Sequence, residues 1–519
     1  MKKYVVYVVI MALLISIAGC SGKGESHEKS SYEKDEIVLA LSNEPESGFD
    51  PILGYGSYGS PLIQSTLLAL NEDLDITYDL AEEYQVSDDK LVWEFKLRDD
   101  VVFSDGKRVT AKDVAFTYKE AKKSGSTVDL SELQDIKLVD DYTVQFILKK
   151  PQSTFVYTAA SLGIVPEHIY SGQYGSQPVG SGPYRLVQWD KGQQAIFMRN
   201  DDYYRGKPFF KKVTVLFMNE DAAYAAAKSG QVDVAQTSSA YINEEMDNMQ
   251  IKDFDSVDNR GISFVTIPAG AKVNNKEAGN DVTSDIAIRQ AINLAINREE
   301  IVHDALNGYG KPAYSNADDL PWGSEKTVVK HNVEKAREIL AVAGWNDQDD
   351  DGILEKGKLK ASFNLIYLAG DSTRQAISMA VKQQLADLGI QVKVAGGSWD
   401  DIANKMYKDA VLFGWGNRNP IEANYLYHSS NIGIDWYNAN SYSSDKVDAV
   451  IEDAMVTGDY KEWQKVQELV AADAPWAWLV NVDHLYFVRK GLNVGKQPIH
   501  PHDHALVVLN NIQDWKWED

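Results

Sequence analysis

Cysteine is nearly absent, with one in 519 residues. No internal disulfide can form, and thiolate metal sites and iron–sulfur clusters are excluded with it. Basic residues are also scarce: 52 Lys and Arg stand against 76 Asp and Glu, for a formal net charge of −24. That sign repels phosphate backbones and anionic membrane surfaces, which removes nucleic acid as a partner. Catalytic signatures are missing too. The chain has no His-Glu-x-x-His, no Gly-x-Ser-x-Gly elbow and no Gly-rich phosphate loop closed by Lys-Ser or Lys-Thr, so the sequence points away from an enzyme. Carboxylate pairs are so plentiful in an acidic chain that a glycosidase stays open on sequence alone. What is present is apolar and aromatic: 44% hydrophobic residues, 27 Tyr and 12 Trp. Such a chain folds, its length calls for at least two lobes, and its rings suit binding surfaces.

The N-terminus carries an address. Lys2 and Lys3 precede an apolar run from Tyr4 to Ala18, too short for a comfortable membrane span and built like an export signal. The only cysteine follows in Ile17-Ala18-Gly19-Cys20, which resembles the lipobox of bacterial lipoproteins, where this Cys becomes the lipid-bearing first residue. Residues 1–19 are thus expected to be a signal peptide, Cys20 the lipidation site, and residues 20–36, rich in Ser, Gly, Glu and Lys, a solvated tether. A domain moored outside the cytoplasmic membrane has no ATP supply, so capture of a solute leads over kinase or ligase chemistry.

Along the mature chain, Ile37-Val38-Leu39-Ala40-Leu41 predicts a buried strand of the parallel kind. A helix is expected near Leu62 to Leu70. Period-two alternation in Leu91 to Leu97 and in Thr143 to Leu148 predicts half-buried strands. Between them Thr110 is placed to cap a helix running through Ala115, Phe116 and Tyr118. From Ile286 to Ile301 apolar residues recur at helical spacing, which makes Arg289 a structural or surface ion-pair residue rather than a ligand clamp. Asp347-Gln348-Asp349-Asp350-Asp351-Gly352 opens as a calcium loop does, but its twelfth position is Lys358 rather than Glu, so a loop with Asx turns is expected instead.

Leu97-Arg98-Asp99-Asp100-Val101-Val102-Phe103-Ser104-Asp105-Gly106-Lys107-Arg108-Val109-Thr110-Ala111-Lys112-Asp113-Val114 resembles the signature of the extracellular solute-binding protein family 5, which serves peptide and nickel ABC importers. Val165-Pro166-Glu167-His168, Gly180-Ser181-Gly182-Pro183-Tyr184, Ser229-Gly230-Gln231-Val232-Asp233 and the stretch Ile288 to Arg298 follow in the family's order. The resemblance implies an α/β, two-lobed, periplasmic-binding-protein-like fold of class II with an inserted third subdomain and an inter-lobe cleft. Lobe I is expected from 37–48, 180–265 and 486–519, the insertion from 49–179 and lobe II from 266–485. It further implies a monomer that holds its cargo unaltered and delivers it to a membrane permease driven by a cytoplasmic ATPase.

Gly414-Trp415-Gly416-Asn417-Arg418-Asn419-Pro420 follows the apolar run Ala410 to Phe413, at the end of a predicted strand, where ligands collect in open α/β sheets. In the family this stretch faces the cleft, and the resemblance nominates Trp415, Arg418, Tyr427 and His428 as ligand neighbours. Arg418 offers a planar fork that grips a carboxylate bidentately. Tyr55 and Tyr58, in a Gly-rich loop, are expected to close the cleft from the other lobe, with Arg260 at the crossover. His484 and His428 are candidate metal ligands, since neutral imidazole suits Ni(II), Cu(II) or Zn(II), and His500, His502 and His504 form a second candidate group. The combination resembles the nickel-chelate branch of the family. The expected cargo is therefore nickel with a small chelator such as histidine, with an oligopeptide or dipeptide as the alternative.

Overall fold

A computed structural model describes residues 35–518 apart from 59–60, 125–127, 244–245 and 503–505. The expected signal peptide, Cys20, nearly all of the tether and His504 lie outside the described residues. Among those described, no helix is long and apolar enough to cross a membrane.

Three sheets organise the chain. The first has seven strands in the order Met249–Phe254, His484–Arg489, Val234–Thr237, Glu36–Leu41, Lys212–Phe217, Gln194–Arg199 and Tyr184–Asp190. Glu36–Leu41 pairs parallel with both neighbours, as its continuous apolar run requires of a strand covered on both faces. The second sheet has six strands in the order Gly310–Pro312, Trp476–Val482, Asn259–Ser263, Ala410–Trp415, Ser362–Leu368 and Gln391–Gly397. The third, with four antiparallel strands, holds the two alternating segments as Val92–Leu97 and Thr143–Leu148, paired with each other. Its core is built around Trp93, Phe95, Phe146 and Phe155.

The chain passes from the first sheet to the second between Phe254 and Asn259 and returns between Val482 and His484. This corrects the expected end of the lobe I segment at 265, because Asn259–Ser263 already hydrogen-bonds within the six-stranded sheet. The short crossovers set the geometry of the site: whatever sits on them lies at the floor of the gap between the sheets.

Other local expectations are modified for identifiable reasons. No helix forms at 62–70; the segment bends at 62–64 and then enters the strand Leu68–Leu70. Its backbone is satisfied by distant partners: the N–H of Gly182 donates to the Ile63 carbonyl at 2.7 Å, and Thr66 N–H donates to Asp79 at 3.0 Å. Helical spacing from Ile286 to Ile301 is shared by two helices, Ile286–Ala295 and Arg298–Leu306, because Asn297 breaks in to cap the second. Thr110 precedes its helix but does not cap it as an acceptor; its hydroxyl donates to Asp113 Oδ2 at 2.8 Å, and the same carboxylate takes the Thr110 N–H at 2.9 Å. Arg289 is structural: its guanidinium donates to the carbonyls of Ala474, Thr283, Ser284 and Asp473 at 2.8–3.0 Å. In the acidic loop, Asp349 and Asp351 accept local N–H groups as Asx turns, and the Lys360 ammonium pairs with Asp349, Asp351 and Glu355.

Candidate functional site

Between the sheets lies a cavity of about 1020 Å³, lined from both lobes and from the third sheet's domain. That is at the upper end for a small-molecule site. The strand Ala410–Trp415 ends at its floor, and the turn that follows is tied down by backbone. Gly416 N–H donates to Glu422 Oε1 at 3.0 Å, and its carbonyl accepts the His502 N–H at 2.7 Å.

Arg418 emerges from this turn, lines the cavity and is 7% exposed. Its guanidinium donates one weak hydrogen bond among the described residues, to the Tyr58 carbonyl at 3.3 Å. No carboxylate among the described residues pairs with it, and burial alone lowers its pKa to about 10. A buried guanidinium without a counter-ion is costly in the empty protein. Trp415, half-buried on the same wall, has an indole N–H with no acceptor among the described residues. Two donors therefore await an acceptor.

Asp258, on the first crossover, is the hub of the floor. It is 3% exposed and holds Arg260, with Nη2 at 3.1 Å from Oδ2, as well as His484 Nε2 at 3.2 Å and His502 Nδ1. Burial opposes its charge, yet Arg260 and the imidazoles keep the carboxyl well below the usual range. His484, on the return crossover, has its other ring nitrogen 3.0 Å from His500 Nδ1, so both its nitrogens are engaged. Burial pushes the pKa of His500 and of His502 below the ordinary imidazole value, leaving each ring neutral, the state in which imidazole binds metals. Beside them, Arg374 pairs with Asp371, and burial pushes Glu422 up to about 7.

Of the residues nominated by sequence, Arg418, Trp415, Tyr55, Tyr58, Arg260, His484 and His502 line the cavity. His500 lies behind it, fully buried against Phe254 and His484. Tyr427 does not reach it: the ring is fully buried, its hydroxyl donating to Asn316 at 3.1 Å and accepting from Trp478 at 3.2 Å. His428 lies outside the lining as well, capping the turn Ser429–Asn431 by accepting the Ser430 N–H, with Glu452 at 3.7 Å. Sequence reasoning missed Asp258, Asp371, Arg374 and Glu422. Asp258 carried a signal, standing two residues before Arg260 at the crossover and thus on the same face of an extended chain; the other three had none.

The comparisons with known proteins fit this geometry. The family model for bacterial extracellular solute-binding proteins, family 5, matches residues 75–434. The oligopeptide-binding protein AppA of Bacillus subtilis is 30% identical over 98% of this chain and 97% of its own. Among solved structures, NikZ from Campylobacter jejuni in complex with Ni(L-His) superposes with a TM-score of 0.81 at 23% identity, over 93% of this chain and all of the other, a likeness of fold. AppA from B. subtilis in complex with a nonapeptide superposes with a TM-score of 0.74 at 26% identity, over 93% and 99%.

Proposed function

The chain belongs to the bacterial extracellular solute-binding proteins of family 5, the binding components of ABC importers, and from that premise we propose that its cargo is nickel, or a similar transition metal, carried by a small chelator such as histidine. The observation that carries this reading is Arg418, a buried cation facing the cleft without an anion. A chelator's carboxylate supplies the missing charge and turns an unfavourable burial into a charge-assisted pair. A metal that arrives with its sphere largely filled needs at most one protein nitrogen. His484, which lines the cavity, is the imidazole that serves, its ring turning from His500 toward the cleft to meet the metal. Trp415, Tyr58 and Tyr55 complete the walls, and Arg260 holds the hub in place. The likeness of fold to NikZ with Ni(L-His) supports the same reading. Cargo bridges the two lobes and favours their closed arrangement, which the permease and its ATPase recognise. Cys20 moors the protein to the membrane by lipid.

A second reading has its own support. The cavity of about 1020 Å³ is roomier than one nickel–histidine complex needs, and the relative AppA is an oligopeptide-binding protein. A peptide C-terminus would satisfy Arg418 equally well. Calorimetry separates the two: the purified domain is titrated with nickel plus L-histidine, nickel alone, and a peptide mixture. Heat with nickel–histidine is expected, lost on His484→Ala and retained on His428→Ala. Heat from peptides with no response to metal removes the nickel assignment.

A further inference from the structure

Away from Arg418, one part of the cavity wall is built differently. Tyr425 and Tyr437 stack with ring centroids 4.4 Å apart and planes at 12°, and Trp415 approaches Tyr437 at 6.3 Å. All three rings are half-buried and line the cavity, as does Tyr58. Asp129 reaches this wall from the third sheet's domain. Its carboxylate accepts the Ser131 N–H at 2.9 Å and the Gln152 amide at 3.3 Å, and no cationic side chain among the described residues pairs with it. Asp435, also on the cavity lining, flanks the rings from the other lobe. Both carboxylates lie close enough to act on the phenols: burial first, then Asp435 and Asp129, push Tyr437 up to about 12, and burial and Asp129 raise Tyr425.

Half-buried aromatic faces bearing a negative quadrupole, bordered by the carboxylate of Asp129 and, at the exposed edge, by that of Asp435, are the surroundings that attract a positive charge. We propose that Asp129, together with the stacked rings of Tyr425 and Tyr437, forms a subsite for a cationic group of the cargo, distinct from the carboxylate position at Arg418. The cargo is then zwitterionic, with its positive centre on the aromatic wall and its carboxylate on the guanidinium. The positive centre is either a metal ion within a chelate, held on this wall instead of at His484, or a primary ammonium. The inference rests on the reading of this cleft as the cargo site, but not on the identity of the metal.

The test uses three probes, nickel(II) with L-histidine, trialanine and N-acetyl-trialanine, titrated calorimetrically into the wild type, Asp129→Asn, Tyr437→Leu and Arg418→Gln. Asparagine keeps the acceptor for Ser131, so Asp129→Asn reports charge rather than folding. It is expected to weaken the bound cargo about tenfold at low salt and less at high salt. Should nickel–histidine be the probe that weakens, the metal is the cation. Should trialanine bind, lose affinity on N-acetylation in the wild type, and lose nothing further on acetylation in Asp129→Asn, the cation is an ammonium; the subsite then stands while the nickel reading falls. If Arg418→Gln abolishes binding but Asp129→Asn and Tyr437→Leu match the wild type within twofold, the subsite is overturned and the proposed function survives. A wild type silent to all three probes overturns the subsite as well, since nickel–histidine and trialanine each carry both charges.

Discussion

Arg418 sets function against stability at a single residue. Its pKa is lowered from the ordinary guanidinium value to about 10 by burial, so the unfolded chain holds the proton more readily and the folded protein carries the penalty at every pH below about 10. Replacing it with Met should therefore raise the unfolding free energy of the cargo-free protein by about 1–3 kcal/mol near neutral pH, seen as a higher melting temperature, while calorimetry shows cargo binding abolished. A variant that is less stable and still binds would deny Arg418 this role. The residue was legible because it follows a strand end in a Gly- and Asn-rich turn. Tyr427 was not legible as a core residue, since nearness in sequence is no guide on a helix. In Glu422–Tyr427, positions 425 and 427 are turned about 200° apart, so Tyr425 lines the cleft and Tyr427 faces Trp478.

At the scale of elements, Gly180-Ser181-Gly182-Pro183-Tyr184 reads in sequence as a turn before a strand, and the strand begins at Tyr184 as expected. Its larger role is invisible without the fold. Gly182 lies against the 62–63 backbone, where a Cβ would come within 2.7 Å of the Leu62 carbonyl oxygen, and its own carbonyl accepts the Asn200 amide at 2.9 Å. Gly180 accepts the Ser104 N–H at 2.9 Å. The turn thus joins the four-stranded domain to the seven-stranded sheet. Gly182→Ala should cost about 1–3 kcal/mol, read as a lower midpoint in urea, and should leave cargo affinity measured at low temperature near that of the wild type. The missed helix at 62–70 belongs to the same contact: residues 62–68 are all buried, polar and apolar alike, and burial on every side erases the periodicity that distinguishes strand from helix.

The whole molecule is joined at more places than its two crossovers. Ser153 N–H donates to the Met455 carbonyl at 2.7 Å, Lys90 donates to the Val456 carbonyl at 3.2 Å, and the hydroxyls of Tyr157 and Tyr460 meet at 2.9 Å, with Trp322 packed on both rings. These contacts tie the four-stranded domain to the helices Asp445–Thr457 and Tyr460–Asp473 of the second lobe. No sequence pattern announces the three hydrogen bonds, because each joins residues more than 300 positions apart. A clasp of this kind sets how much of the empty protein is closed, and apparent affinity scales with the closed, binding-competent fraction. Tyr460 is 39% exposed, so Tyr460→Ala removes the aromatic part of the clasp, the Tyr157 hydroxyl contact and the packing on Trp322, without opening a core. The variant should show a larger radius of gyration by small-angle scattering when empty, the wild-type radius when saturated, and a cargo affinity about three- to tenfold weaker. An empty variant with the wild-type radius and affinity would mean that the aromatic contact does not help to hold the lobes.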